Sequence, residues 1–152
     1  MKCFFRPLTE ECKEKWKNPS VAIAYDSRYK SREFAFLAAN ILSSMGVKAY
    51  VFNELTPTPV LSYAVRALKT CGGIVITASH NPKEYNGYKV YGADGAQMSP
   101  EDTQKVVEKI ENITDYLSVS GKGDEKYIVP VPKTLDEDYV KSWKSSRYPP
   151  RR

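Results

Sequence analysis

The sequence is short of the residues that build the commonest metal and disulfide sites. It has a single histidine, His80, so a centre held by several imidazoles is excluded. Its three cysteines, Cys3, Cys12 and Cys71, are odd in number and lack paired metal-ligand spacing. The expectation is free thiols in a reducing compartment. No apolar run approaches the roughly 18 residues of a membrane span, so no membrane partner is expected. Met1 to Pro7 contain no sustained apolar stretch and no small-residue cleavage site, which reads as a cytoplasmic chain without a signal peptide. Glycine and proline number 8 and 10, too few for collagen. No internal repeat or low-complexity tract appears.

What is present is ordinary globular composition. The hydrophobic set is 41% and the charged set 27% of 152 residues, the modal size of one domain. A chain of that length buries roughly 68–70% of its unfolded surface, which supports a real core. The net charge of +5 invites a nucleic-acid reading until it is located. Residues 141–152 hold five of the 23 basic side chains and no acid, so residues 1–140 are neutral. A nucleic-acid binder carries its excess as a patch on the folded body. A solvated basic end containing Pro149-Pro150 is the better reading, and no nucleic-acid partner is expected.

Short apolar segments alternate with helical periods. Residues 9–17 can form a short amphipathic helix with Cys12 and Trp16 one turn apart, broken by Asn18-Pro19-Ser20. Val21 to Tyr25 is apolar throughout, the mark of a strand buried on both faces. From Ser31 to Met45, residues Phe34, Leu37, Ala38, Ile41, Leu42 and Met45 fall on one helical face, and Gly46 is a natural stop. Val47–Phe52 is a second strand. Thr58 can cap and Pro59 can open a helix running to Lys69, with Leu61, Ala64, Val65 and Leu68 inward. Ile74–Ile76 is a third strand. Strands separated by single helices pair in parallel through right-handed crossovers.

The rest of the chain is read in the same way. Tyr88–Tyr91 is an additional, antiparallel strand between the turn signals Asn86-Gly87 and Asp94-Gly95. Ser99 and Asp102 form a capping box for a helix burying Val106, Val107 and Ile110. Asn112–Lys126 reads as a long loop. Tyr127–Val131 is an edge strand, since Pro130 and Pro132 exclude a central one. Thr134 and Glu137 cap a last helix over Leu135–Ser145, with Leu135, Tyr139, Val140 and Trp143 on its apolar face. The fold class is therefore α/β, a three-layer α/β/α sandwich with a mostly parallel sheet. Residues 21–146 form the domain, 1–20 an N-terminal extension and 147–152 a disordered basic tail.

Ligands in such sheets bind beyond the carboxyl ends of the strands. That directs attention to Asp26–Lys30, Asn53–Thr56 and Thr77–Asn86. The last loop holds Ser79 next to His80. A Ser–His hydrolase pair is the first thought, but neighbouring side chains on extended backbone diverge, and no Gly-x-Ser-x-Gly elbow is present. A plain turn hydroxyl is the bland reading of Ser79. Arg28, Lys83 and Lys89 lie at the same end, and converging cations suit phosphate. Lys83 reads as a solubilising side chain. Lys89, in a tyrosine-rich strand, suits proton transfer.

These residues carry a resemblance. Thr77-Ala78-Ser79-His80-Asn81-Pro82 with Asn86-Gly87-Tyr88-Lys89 resembles the phosphoserine loop of the α-D-phosphohexomutases, the phosphoglucomutases and phosphomannomutases. Ala24-Tyr25-Asp26-Ser27-Arg28 is similar to the arginine segment of their first domain. Thr56-Pro57-Thr58-Pro59 and Gly73-Ile74-Val75-Ile76 are similar to segments ahead of the active serine. The resemblance covers about Val21 to Ile113.

It implies an isomerase that interconverts hexose 1-phosphate and hexose 6-phosphate, with glucose favoured, through a phosphoserine and a bisphosphate intermediate. It implies that Ser79 carries the phosphate and contributes an oxygen to Mg²⁺. It places His80, Lys89 and Arg28 beside the transferring group as catalytic residues, and implies a hexose bisphosphate activator. Phosphoryl transfer demands positioning and charge stabilisation, which such a loop can supply.

The sequence also departs from the family. The Asp-Gly-Asp-x-Asp-Arg metal loop, the Gly-Glu-x-Ser-Gly sugar loop, the last domain's phosphate-gripping loop and the leading Gly-Thr-x-Gly-x-Arg segment are all lacking. One domain of four is expected, incomplete at its N-terminus and inactive alone. The remaining mutase domains would come from another chain or from a longer form of this one. The alternative is a non-catalytic α/β remnant or interaction module.

Overall fold

The computed structural model describes residues 16–112 and 122–147. The elements in chain order are β1 (Ser20–Tyr25), α1 (Ser31–Ser44), β2 (Lys48–Val51), α2 (Thr58–Ala67), β3 (Gly72–Ile76), β4 (Tyr88–Gly92), α3 (Pro100–Glu111), a 3₁₀ turn (Glu125–Tyr127), β5 (Ile128–Pro130) and α4 (Thr134–Arg147). They build one five-stranded sheet of order β4-β3-β1-β2-β5. β1 is central and pairs in parallel with β2 and β3. β5 extends the sheet in parallel beside β2, and β4 closes the other edge antiparallel to β3. The proposed helix over residues 9–17 falls almost wholly outside the described residues.

β1 is buried along its whole length, as its unbroken apolar run requires. Its alternating side chains divide the core between the two faces of the sheet. Val21, Ile23 and Tyr25 pack with Ala35, Ala38, Ala39 and Leu42 of α1. Ala22 and Ala24 meet Leu61, Ala64 and Val65 of α2 and Leu135 of α4 on the opposite face. Each fully buried large apolar side chain contributes about 1.5–3 kcal/mol. Small residues on the second face let α2 approach closely. A Cβ placed on Gly73 would stand 2.6 Å from Val65 Cγ2, so a side chain there collides. Gly46, at φ +73°, takes the left-handed conformation that ends α1.

Several local expectations change. Pro57, not Thr58, is the residue before α2, and no side chain caps that helix. Thr58 instead shares a hydrogen bond with the Tyr91 side chain. Leu37, Val107, Val140 and Trp143 are exposed although each falls on an apolar period. Ser99 does cap α3: its hydroxyl accepts from the Asp102 amide at 3.1 Å and donates to the Asp102 carboxylate at 2.9 Å. The basic end begins inside α4, where Lys141 lies 3.4 Å from Asp138 and 3.9 Å from Glu137, so part of its charge is offset one turn back. Cys71 is disulfide-bonded, which corrects the expectation of three free thiols. Cys3 and Cys12 lie outside the described residues.

Candidate functional site

The parallel connections place the segments after β1, β2 and β3 on one edge of the sheet. Backbone bonds join these segments. The Asp26 amide donates to Ile76 O at 3.2 Å, and the Tyr29 amide to Lys83 O at 3.4 Å. The segment after β2 is tied to β1 through Tyr25, whose hydroxyl donates to Asn53 O at 2.8 Å. β4 runs in the opposite direction, with Tyr88 beside Ile76 and Lys89 beside Val75. That register returns Lys89 to the edge where the Ser79 loop begins.

Ser79 is exposed at the turn that follows β3. Its φ is +55°, the left-handed region. For a residue with a Cβ that conformation costs roughly 1–2 kcal/mol and persists where surrounding contacts enforce it. All three of its polar atoms are held. Its amide donates to Thr77 Oγ1 at 3.0 Å. Its carbonyl accepts from Arg28 Nη2. Its hydroxyl accepts from the Lys89 ammonium. His80 is exposed next to it, and its imidazole is not engaged with Ser79 Oγ. That geometry disfavours a Ser–His hydrolase pair, which needs the base within hydrogen-bond reach of the hydroxyl.

Arg28 is bonded to the backbone of the loop. Its Nη1 donates to Asn81 O at 2.6 Å, to Pro82 O at 2.7 Å and, at longer range, to Tyr85 O at 3.4 Å. Its Nε pairs with Asp26 Oδ2 at 3.0 Å, and its side chain is only 10% exposed. Asp26 also accepts from the Arg28 amide at 3.1 Å and from the Ser31 hydroxyl at 2.8 Å. Burial pushes the Asp26 carboxyl up, but hydrogen bonds from Thr77, Arg28 and Ser31 and the Arg28 charge outweigh it, leaving the group below its usual value. Asn86 completes the frame by donating to Tyr29 O at 3.1 Å and Ser31 Oγ at 2.8 Å.

Ser79, Lys89 and Arg28 are thus brought together in direct hydrogen bonds, with His80 adjacent. Lys83 remains exposed, its ammonium 5.0 Å from the centre of the Tyr29 ring. Asp26, Thr77, Ser31 and Asn86 are the members that motif reading leaves without a role. One signal for Asp26 was available: an aspartate two residues before Arg28 has the spacing of an Asx turn.

Magnesium does not fit these residues alone. Ser79 offers one oxygen, and the Asp26 carboxylate is already taken by Arg28, Ser31 and Thr77. Among the described residues no three His, Cys, Asp or Glu side chains gather as a ligand set. Six oxygens around Mg²⁺ would have to come largely from elsewhere.

The fold and the serine loop define an α/β domain with an exposed serine and a lysine bonded to it at the sheet edge, and comparison with known proteins gives its family. The phosphoglucomutase/phosphomannomutase alpha/beta/alpha domain I matches residues 2–117. The chain belongs to that family. It is 46% identical over 127 residues to a phosphoglucomutase of Staphylococcus aureus strain RF122, covering 82% of this chain and 23% of that protein. A phosphoglucomutase of strain MRSA252 shows the same identity and coverage. A crystal structure assigned as a Thermus thermophilus phosphomannomutase superposes with TM-score 0.74 at 26% identity, covering 95% of this chain and 31% of that one. An open form of Paramecium parafusin shares the fold, with TM-score 0.71 at 22% identity, covering 93% of this chain and 30% of that one. The chain therefore spans about a quarter of the length of the curated relatives it matches. Among the described residues no helix is long and apolar enough to cross a membrane.

Proposed function

We propose that this chain is the phosphate-carrying domain of a phosphohexomutase, with Ser79 as the carrier and glucose phosphates as the favoured substrates. One observation carries the reading: the Ser79 hydroxyl is exposed, and the Lys89 ammonium is bonded to it.

In the donor direction, the P–Oγ bond of phosphoserine breaks and a new P–O bond forms to a hydroxyl of a hexose monophosphate. The sugar hydroxyl gives up its proton, and Oγ gains one. Lys89 stands where negative charge develops on Oγ and can supply that proton. The bisphosphate formed returns its other phosphate to Ser79 in the reverse of the same step. His80, exposed next to Ser79, is the further side chain proposed beside the transferred group. The magnesium of the family, its sugar-binding loops and a bisphosphate activator lie outside what this chain supplies, so the domain is proposed to work with the remaining mutase domains.

The reading is tested by exchanging the matching 127-residue segment of the Staphylococcus aureus phosphoglucomutase for the one in this chain. The chimera should interconvert glucose 1-phosphate and glucose 6-phosphate, and Ser79→Ala in it should abolish turnover. A chimera that melts like its parent yet is inactive would favour the non-catalytic remnant.

A further inference from the structure

The three polar atoms of Ser79 are held by three side chains, and two of those lead to one carboxylate. Thr77, which accepts from the Ser79 amide, hydrogen-bonds Asp26. Arg28, which donates to the Ser79 carbonyl, pairs with Asp26 through Nε. Asp26 is fixed in turn, because it follows the central strand and its amide donates to Ile76 O at 3.2 Å. A side chain locked to a rigid element passes that rigidity to the loop it touches. The guanidinium is a planar fork of donors in fixed directions. Here the fork is spent on the loop's own carbonyls, at Ser79, Asn81 and Pro82, with Tyr85 farther off.

We propose that Asp26 and Arg28 form a positioning unit that imposes the left-handed backbone of Ser79, and that Arg28 acts on phosphoryl transfer through this loop and not as a ligand of the phosphate. The geometric half stands by itself; the effect on transfer rests on the phosphoserine function proposed above.

Two measurements test it. The first is backbone hydrogen exchange of the purified chain, resolved by segment. The second is the rate at which Ser79 takes phosphate from glucose 1,6-bisphosphate with Mg²⁺ in the Staphylococcus aureus chimera described above. Arg28→Lys keeps the charge but loses the fork. Asp26→Asn keeps the shape but loses the charge.

Both variants should exchange at least tenfold faster across residues 77–87, with β1 and β3 unchanged. Both should take phosphate at least tenfold more slowly at an unchanged half-saturating bisphosphate concentration. Thr77→Val leaves the ion pair in place and should speed exchange at the Ser79 amide, which keeps the test open if the other variants loosen the whole sheet. Unchanged loop exchange in Arg28→Lys overturns the proposal, above all if the half-saturating concentration rises, the mark of a direct phosphate contact. A chimera with the native sequence that takes no phosphate overturns the phosphoserine reading instead, while the exchange arm still decides the brace.

Discussion

The Lys89 ammonium donates to the Ser79 hydroxyl from a strand that runs against its neighbour. Had β4 paired in parallel, its first residues would lie at the opposite edge of the sheet. The antiparallel register sets Lys89 beside Val75 and returns its side chain to the serine loop.

Replacing that ammonium should therefore act on chemistry more than on folding. Lys89→Met is expected to slow phosphate transfer at Ser79 about 10²–10⁴-fold, the usual range for a lost proton donor or acceptor. The chimera with the Staphylococcus aureus enzyme gives the rate, and a urea titration of the chain checks that stability barely moves.

Acid should release the loop through Asp26. Its carboxyl sits below the ordinary value in the folded chain, so its ionised form stabilises the native state above the ordinary carboxylate pKa of about 3.9. That contribution is lost as pH falls through the lowered folded value. Urea midpoints measured from pH 6 down to pH 2 should decline less steeply in Asp26→Asn than in the native chain over the acid part of the range. Equal slopes would show that Asp26 gains nothing on folding.

Close approach of α2 to the sheet makes Gly73 intolerant of a side chain. Gly73→Val sets carbon against Val65 and Leu61 and should destabilise by about 1–3 kcal/mol, read from the urea midpoint. Leu61→Ala, in the same layer and fully buried, should cost about 2–5 kcal/mol by leaving a cavity.

The layered sheet was largely visible in the amino-acid order. The unbroken apolar run at β1, the helical period of α1 and its Gly46 stop follow from local physics. The exposed Leu37, Val107 and Val140 were not visible, because periodicity says which side chains share a face and not whether another layer covers it. The same holds at the site. Ser79 and Lys89 stand close together in the chain and are marked by their motif. The brace beneath them joins Asp26 and Arg28 to residues beyond position 76, and only the parallel pairing of β1 with β3 brings those segments together. Its aspartate looked like the end of a strand.

By itself the chain should show no measurable mutase turnover in a coupled assay with glucose 1-phosphate, bisphosphate and Mg²⁺. It spans 23% of its relative's length, and its described residues do not assemble a metal set. Robust turnover by the purified chain would mean that sugar binding and metal binding need nothing more than this domain.

The most direct test is the covalent state of one hydroxyl. The chimera with the Staphylococcus aureus enzyme is incubated with glucose 1,6-bisphosphate and Mg²⁺, and its mass and phosphopeptides are determined beside those of its Ser79→Ala variant. The account predicts a single phosphate on Ser79 in the chimera and none in the variant. An unmodified Ser79, or phosphate carried at another residue, would contradict it.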